Sequence, residues 1–163
     1  MFISCIIDTP LGAVLSAAEG GAVCGLWFLG QKYFPEGAVT WQNAPNERVF
    51  DEVRAYLAAY FAGEQPQELP LLSPRGTEFQ RKVWDALLRV PYGQSTTYGA
   101  LAEMCECRAP QAIGGAVGHN PISILIPCHR VLGTDGSLTG YAGGTSRQQA
   151  LLELEGITFR SLE

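Results

Sequence analysis

The chain has 163 residues, of which 47% are hydrophobic and 17% charged, a composition typical of a globular protein that builds its own core. No segment approaches the roughly 20 consecutive apolar residues of a membrane-spanning helix. The first eight residues form a short apolar run that Asp8 ends, without the basic residues that begin a signal peptide. We therefore expect a cytoplasmic protein that makes no membrane contact.

The net charge of −5 is distributed unevenly along the chain. Residues 1–73 carry three basic and eight acidic side chains, whereas residues 74–163 carry eight of each. Because a neutral second half does not repel phosphates, it permits nucleic-acid binding. It also predicts that the electrostatic contribution to binding is small and its salt dependence weak.

The first half of the chain predicts a small sheet followed by a helix. Residues 2–8, 13–18 and 23–29 are rich in apolar side chains and are separated by turn residues, which indicates three short strands. Apolar side chains recur at helical spacing over residues 47–62, and Gly63 is placed to end this helix. Its apolar face consists of Val49, Val53, Tyr56, Leu57, Tyr60 and Phe61. We interpret this aromatic stripe as core rather than as a ligand site.

A proline-rich segment, residues 65–74, separates this half from a more helical one and is the best candidate for a linker. Immediately after it, Thr77 and Gln80 have the spacing of a capping box. This pattern predicts a helix from residue 77 to about residue 89.

Two short helices, predicted at residues 98–104 and 110–117, have the spacing of a helix-turn-helix. Thr96 or Thr97 caps the first of them. The second has almost no side-chain bulk, although each helical glycine costs up to about 1 kcal/mol relative to alanine. Either another backbone approaches this helix closely, or the helix packs tightly against a neighbouring one.

The last third of the chain predicts a buried, extended segment at residues 121–127 and a hairpin over residues 132–138 around an Asp-Gly dipeptide. The residues from Thr145 to Gln148 again fit a capping box. They predict a final helix over about residues 146–155, ended by a glycine.

The number and spacing of the cysteines argue against both disulfides and metal. There are five of them, Cys5, Cys24, Cys105, Cys107 and Cys128. An odd count without a secretion signal disfavours a disulfide framework. Cys105 and Cys107 are too close for a zinc knuckle, and the chain has only two histidines. We therefore expect no metal and no cofactor.

The most informative stretch is Pro127-Cys128-His129-Arg130. A thiolate is a strong nucleophile once it is deprotonated, and here a histidine and an arginine follow the cysteine on a turn that proline stiffens. This pattern predicts a reactive cysteine in a rigid, electropositive setting. The alternative for a cysteine taken at random is a buried structural role.

Several motifs of the second half together resemble the O6-alkylguanine-DNA alkyltransferases. They are Asn120-Pro121, Ile126-Pro127-Cys128-His129-Arg130-Val131, Gly140-Tyr141-Ala142-Gly143-Gly144 and Leu151-Leu152-Glu153-Leu154-Glu155-Gly156, with support from Gly76-Thr77-Glu78-Phe79-Gln80, Tyr92-Gly93 and Thr97-Tyr98-Gly99-Ala100-Leu101-Ala102. The resemblance implies an α+β protein, active as a monomer. Residues 1–65 would form a small ribonuclease H-like α/β domain and residues 66–75 a linker. Residues 76–163 would form a mostly helical, winged-helix-like helix-turn-helix domain that binds DNA and transfers the alkyl group.

The same resemblance implies a chemistry for five side chains. Cys128 would accept a methyl or larger alkyl group from O6 of guanine in a single turnover, with O4 of thymine as an open second substrate. His129 would take the thiol proton and Glu155 would orient His129, the nucleophile–base–orienter arrangement of hydrolase triads. Asn120 would tie the recognition helix to the active-site turn. Tyr98 would donate its hydroxyl to guanine N3.

The resemblance also implies a base pocket and a DNA surface. The pocket would include Val117, Val131, Tyr141 and Ala142. The DNA contacts would come from Tyr98, Gly99, Arg108, Gln111, Ala112, Gly115, Arg130 and Thr134. Double-stranded DNA would bind through its minor groove, largely without sequence preference, and the damaged base would be flipped out.

One departure from the family pattern concerns the recognition helix. Gln111 stands where the family usually has an arginine that fills the gap left by the flipped base, and Arg108 is the nearest arginine. A glutamine can hydrogen-bond the orphan cytosine but supplies no charge. We therefore expect weaker DNA binding or slower flipping than is usual in the family.

Three other functions compete with alkyl transfer. Non-catalytic lesion-binding relatives replace the reactive cysteine, so the presence of Cys128 argues against that class. A cysteine hydrolase would need Cys128 and His129 to face each other, which neighbours on an extended turn rarely do. A helix-turn-helix regulator would carry more positive charge than this chain has.

Overall fold

The computed structural model of the protein describes residues 2–160, and the fold is α+β, as predicted. The strands are β1 Ile3–Ile7, β2 Val14–Glu19, β3 Ala22–Phe28, β4 Gln42–Asn43, β5 Thr96–Thr97 and β6 Val131–Leu132. The helices are α1 Arg48–Phe61, α2 Glu78–Leu88, α3 Tyr98–Met104, α4 Pro110–Gly118 and α5 Thr145–Glu155, with 3₁₀ turns at Ala38–Thr40 and Cys128–Arg130. No helix within residues 2–160 has the length and apolar character needed to cross a bilayer.

The N-terminal sheet has the strand order β3-β2-β1-β4. Strands β1, β2 and β3 form an antiparallel meander, and β4 pairs in parallel with β1. The three predicted strands are confirmed, with ends that shift by one or two residues. Residues of the sheet and of α1 share one buried cluster, whereas Trp27 on the other side packs with Phe34 and Trp41. Both faces of the sheet are therefore covered.

The proline-rich segment is fixed against the sheet rather than free. The Val23 amide donates to the Leu71 carbonyl at 2.8 Å, and the Ser73 amide donates to the Val23 carbonyl at 2.7 Å. The main buried cluster includes residues from both predicted units, such as Phe28 and Trp84. Residues 66–75 thus join two parts of the molecule that pack against each other, and the domain boundaries stay a prediction.

The helices of the second half begin where local capping predicts. The Thr77 hydroxyl accepts the Gln80 amide at 3.1 Å and the Gln80 side chain accepts the Thr77 amide at 3.0 Å, which confirms the capping box. The Thr97 hydroxyl caps α3 by accepting the Ala100 amide at 3.1 Å. The indole N–H of Trp84 in α2 donates to the Ala116 carbonyl at 2.8 Å. This bond holds α4 against α2 and leaves the opposite face of α4 outward.

The prediction of an extended segment at residues 121–127 is wrong, although its burial is confirmed. The segment folds into compact turns in which the Ile126 amide donates to the Ile122 carbonyl at 3.0 Å. Ile124 adopts a left-handed conformation with φ 70°, which is strained for a β-branched residue. An apolar pattern cannot reveal this turn, because the tertiary contacts around the segment hold it.

The predicted capping box of the last helix is also wrong. Helix α5 begins at Thr145 with Gly144 as its N-cap, and no side chain caps it. Gln148 instead points inward, where its amide donates to the carbonyls of His129 and Val131 at 3.2 and 3.1 Å. The predicted end is confirmed, since Gly156 adopts the left-handed conformation of a C-cap.

The hairpin predicted over residues 132–138 is confirmed only in its turn. The Gly133 amide donates to the Ser137 carbonyl at 2.9 Å and the Gly136 amide to the Gly133 carbonyl at 2.9 Å. Strand β6 pairs in parallel with β5 instead of with the segment after the turn. The apolar side chains Leu132 and Leu138 are drawn into a small core beside α5.

Candidate active site

Cys128 begins a single 3₁₀ turn, Cys128–Arg130, directly after Pro127. The loop before it is held by the edge strand of the N-terminal sheet. The Leu26 amide of β3 donates to the Pro121 carbonyl at 2.8 Å, and the Ser123 amide donates back to the Leu26 carbonyl at 2.9 Å. The cysteine therefore lies on a loop that is anchored by main-chain bonds to the other half of the molecule.

Asn120 fixes the same loop from the end of α4. Its side-chain oxygen accepts the Ile122 amide at 3.0 Å, and its NH₂ group donates to the Ile126 carbonyl at 2.9 Å. The side chain is buried. An amide that both accepts and donates in this way closes the loop in one conformation.

His129 and Glu155 form a buried pair behind the cysteine. Nε2 of His129 lies 2.6 Å from Oε2 of Glu155, and both side chains are fully buried. The other carboxylate oxygen, Oε1, accepts Nε of Arg130 at 2.8 Å and the Gly93 amide at 3.0 Å. The end of α5 thus delivers a carboxylate into the turn that holds Cys128.

Tyr60 of α1 also reaches this carboxylate. Its hydroxyl donates to Oε2 of Glu155 at 2.6 Å and lies 3.4 Å from Nε2 of His129. The interpretation of Tyr60 as a core residue alone is therefore incomplete. The one signal in the sequence is the residue type itself, because a buried tyrosine hydroxyl needs a hydrogen-bond partner.

The charge state of the pair follows from its surroundings. Burial by itself would raise the pKa of Glu155, but the hydrogen bonds and charges of His129, Arg130 and Tyr60 outweigh burial and lower this pKa to about 2. Burial also lowers the pKa of His129, against the opposing effect of Glu155. Near pH 7 the pair is thus a carboxylate and a neutral imidazole. Because a carboxylate only accepts, the imidazole carries its proton on Nε2.

The free thiol of Cys128 is not ionised, which corrects the prediction of an electropositive setting. Its side chain is 6% exposed, and burial raises its pKa to about 11, although a hydrogen bond from Asn120 acts in the opposite direction. The positive charge expected beside it belongs to Arg130, whose guanidinium faces Glu155. Nδ1 of His129 is buried and makes no hydrogen bond to any residue within the described part of the chain.

The assignment of Arg130 to the DNA surface is wrong. Arg130 is buried, and its NH1 nitrogen donates to the Val90 carbonyl at 2.8 Å while Nε binds Glu155. Its guanidinium also lies 5.8 Å from the centre of the Tyr92 ring. A side chain held by two hydrogen bonds inside the molecule cannot reach a phosphate.

Tyr98 lies at the first turn of α3, and its hydroxyl donates to the Thr139 carbonyl at 2.9 Å. A Cβ atom at Gly140 would come within 2.6 Å of this hydroxyl, and Gly140 has a φ of 72°. Glycine is therefore required there for two reasons, conformation and space. Burial raises the pKa of Tyr98 to about 12, so its hydroxyl keeps its proton.

The remaining predicted residues separate into a buried and an exposed group. Val117, Val131 and Tyr141 are buried and Ala142 is half-buried, and their role as the wall of a base pocket stays a prediction. The residues predicted to contact DNA that are exposed are Gly99, Arg108, Gln111, Ala112, Gly115 and Thr134, and Tyr98 is half-buried.

Comparison with known proteins gives one consistent result. The profile described as 6-O-methylguanine DNA methyltransferase, DNA binding domain, matches residues 78–157. The methylated-DNA–protein-cysteine methyltransferase of Mycobacterium tuberculosis H37Rv is 45% identical over 150 residues, which are 91% of this chain and 89% of the relative. The protein of the same name from Methanosarcina acetivorans is 42% identical over 152 residues, 93% and 96% of the two chains. The chain belongs to this methyltransferase family.

Solved structures agree with the family assignment. The crystal structure of the Mycobacterium tuberculosis O6-methylguanine methyltransferase superposes with a TM-score of 0.86 at 43% identity, covering 95% of this chain and 93% of that one. The structure of the Mycobacterium tuberculosis protein in complex with DNA matches with the same TM-score and covers 94% and 92% of the two chains. The methyltransferase fold therefore extends over nearly the whole chain.

The family profile and the site do not coincide completely. Residues 78–157 include Cys128, His129 and Glu155 but neither Tyr60 nor β3. All five cysteines are free thiols. Within residues 2–160, no group of three or more His, Cys, Asp or Glu side chains is arranged to hold a metal ion.

Proposed function

We propose that this protein repairs alkylated DNA by direct reversal, moving a methyl or alkyl group from O6 of guanine to the sulfur of Cys128 in a single turnover. The observation that carries the proposal is the buried pair of His129, on the turn that Cys128 begins, and Glu155, at the end of α5, 2.6 Å apart. A neutral imidazole with a free Nδ1 can accept a proton, and the carboxylate then stabilises the imidazolium.

The transfer is one in-line displacement. The Cys128 proton passes through a water molecule to Nδ1 of His129 while the sulfur attacks the alkyl carbon. The S–C bond forms as the C–O6 bond breaks, and the electron pair of the broken bond stays on the base. Tyr98 releases the Thr139 carbonyl and donates its hydroxyl to N3 of guanine, where this charge spreads. The product is a thioether that no residue of the site removes, so each molecule reacts once.

A thiol with a pKa of about 11 suits this mechanism because the protein does not carry a standing thiolate. At pH 7.5 only about one molecule in three thousand would be ionised. Deprotonation by His129 must therefore accompany the arrival of the base. A buried, neutral cysteine is also poorly reactive towards other electrophiles and oxidants.

We propose that double-stranded DNA binds along the outer face of α4 through its minor groove, with the damaged base flipped out. Gln111, Ala112 and Gly115 are exposed there. A Cβ atom at Gly115 would meet no described atom within 4 Å, so packing inside the chain does not require this glycine. The close approach of an external backbone does explain it, and a narrow groove favours small side chains.

A monomer in the cytoplasm is sufficient for this function. One chain contributes every group of the proposed chemistry. The relatives compared above come from bacteria and archaea, whose DNA lies in the cytoplasm.

Incubation with a duplex that carries one O6-methylguanine, followed by intact-mass measurement, tests the proposal. We expect the protein to gain the mass of one methylene group, located on Cys128 by peptide mapping. The gain should be absent with unmodified DNA and in Cys128→Ala, and present in the control Cys107→Ala. A protein that binds the duplex without changing mass would be a lesion-binding module instead.

A further inference from the structure

We propose that Tyr60 is a positioning residue of the alkyl-transfer site. Its hydroxyl donates a hydrogen bond to Oε2 of Glu155 and so keeps His129 neutral, with Nδ1 free to accept the thiol proton. The inference rests on the proposed roles of Cys128, His129 and Glu155. It adds a residue from α1, outside the part of the chain that the family profile matches.

The geometry makes Tyr60 and His129 share one oxygen atom. The Tyr60 hydroxyl and Nε2 of His129 each lie 2.6 Å from Oε2 of Glu155, and the two donors are 3.4 Å apart. The other oxygen, Oε1, accepts hydrogen bonds from Arg130 and the Gly93 amide, so the carboxylate accepts four hydrogen bonds in all. Each donor withdraws part of the negative charge that would otherwise act on His129 alone.

Packing alone does not explain this hydroxyl. On the same face of α1, the buried residues Phe50, Val53 and Leu57 have no polar side-chain atom. Tyr60 itself is 0% exposed, so its hydroxyl has lost all contact with water. A phenylalanine would fill the same space at a lower desolvation cost. The described contacts of the hydroxyl are with Glu155 and His129, so we infer that it acts on that pair.

The consequence for proton transfer has a definite sign. Without the hydroxyl, the full charge of Oε2 would face Nε2 of His129 and would stabilise the imidazolium, so the pKa of His129 would rise. More of the protein would then hold a protonated His129 that cannot act as a base. The other titratable or charged groups that face this pair are Cys128, Arg130, Tyr141, Tyr92 and Tyr56, and they are the same in both forms.

Tyr60→Phe removes only the hydroxyl, and Tyr56→Phe is a matched control. Tyr56 lies one turn earlier on α1, and its hydroxyl makes no hydrogen bond to the described residues. Single-turnover transfer from an O6-methylguanine duplex should be measured between pH 5 and 9. We expect Tyr60→Phe to be about three- to tenfold slower near pH 6.5, with a smaller deficit at high pH, because the acid limb moves upward. Tyr56→Phe should keep the parent profile.

The pKa of His129, measured by NMR titration, gives a readout that does not depend on activity. The chain has only two histidines, so the signal of His129 can be assigned by comparison with that of the exposed His119. The pKa of His129 should rise in Tyr60→Phe. An unchanged His129 pKa together with an unchanged pH profile would overturn the proposal and leave Tyr60 as a core residue.

A double-mutant cycle distinguishes action through Glu155 from a general loss of packing. In a Glu155→Gln background, Tyr60→Phe should cost little further rate, whereas a packing defect would cost the same in both backgrounds. If Tyr60→Phe does not fold, 3-fluorotyrosine at position 60 keeps the ring and strengthens the donor, so the pKa of His129 should fall. If the parent protein transfers no alkyl group, the proposed function fails, whatever the titration gives.

Discussion

The two halves of the molecule differ in what they contribute to the site. Residues 74–163 contain every group proposed to touch the reacting atoms, and with eight basic and eight acidic side chains this half of the chain is neutral overall. Residues 2–73 contain the four-stranded sheet, α1 and the whole negative excess, and they contribute none of those groups. The first half nevertheless holds the second one in place.

Four contacts between the halves show how this support works. Strand β3 binds the loop before Cys128 through the main chain, and the Lys32 amide donates to the Ala142 carbonyl at 3.2 Å. Arg147 of α5 donates to the Leu11 carbonyl at 3.0 Å, and Tyr60 binds Glu155 at 2.6 Å. Most of these bonds use backbone atoms. A region can therefore be essential to a site without carrying any recognisable motif.

Removing the charge at Glu155, where the halves meet, should have the largest effect. We expect Glu155→Gln to slow alkyl transfer by about 100-fold or more, because the imidazolium loses its counter-charge. It should also lower the free energy of unfolding by about 3–5 kcal/mol, since the buried Arg130 guanidinium is left without its partner. Single-turnover kinetics and denaturant unfolding would measure the two effects.

Glu153→Gln is the control for this variant, because Glu153 lies on the same helix but is exposed. It should change the free energy of unfolding by less than about 0.5 kcal/mol. The pKa of Glu155 is about 2 in the folded protein against an ordinary value of 4.5, which predicts stability that is present above pH 4.5 and lost as the pH falls towards 2. That part of the acid dependence should disappear in Glu155→Gln.

Burial of Cys128 by both halves should make stability depend on alkaline pH. Its folded pKa of about 11 lies above the ordinary thiol value of 9.0, so this stabilisation is complete below pH 9 and is lost as the pH rises through 11. Between pH 8 and 10.5, the parent should lose about 2 kcal/mol more than Cys128→Ala in urea unfolding. An equal loss of unfolding free energy in the parent and in Cys128→Ala would contradict the burial of the thiol in this structure.

A substitution on the outer face of α4 tests whether the second half of the chain binds the DNA through this helix. Gly115→Ala should raise the free energy of unfolding by about 0.5–1 kcal/mol, because alanine is the better helix former and its Cβ has open space. The same change should weaken binding to an O6-methylguanine duplex several-fold. Gly114→Ala, at a half-buried neighbouring position, is the control and should retain affinity. A more stable variant with unchanged affinity would exclude this face from the interface.

The smallest effect is expected at Gln111, at the start of the same helix. Gln111→Arg should tighten binding to the duplex by about two- to fivefold and steepen the salt dependence by about one phosphate contact. Gln67→Arg adds the same charge to the proline-rich segment and should change neither. If Gln111→Arg behaves like this control, Arg108 or another group already fills the gap that the flipped base leaves.

Sequence patterns predicted the local features of the fold well. Capping by Thr77 and Thr97, the end of α5 at Gly156 and the apolar face of α1 depend on residues a few positions apart, and the structure confirms them. The capping pattern at Thr145 was misleading because Gln148 found partners in the core. A local capping preference does not decide the position of a side chain when buried carbonyl groups nearby need a hydrogen-bond donor.

The sequence by itself determined that the chain has an α+β fold, a reactive-cysteine motif and a helix with little side-chain bulk, since these follow from residue type and spacing. Only the tertiary structure decided which side chains meet at Glu155. Tyr60 reaches that carboxylate from α1, 95 residues away along the chain, and His129 and Arg130 reach it from the 3₁₀ turn. The structure also decided that Cys128 is a neutral thiol. Burial and hydrogen bonding set both outcomes, and they depend on neighbours in space rather than in sequence.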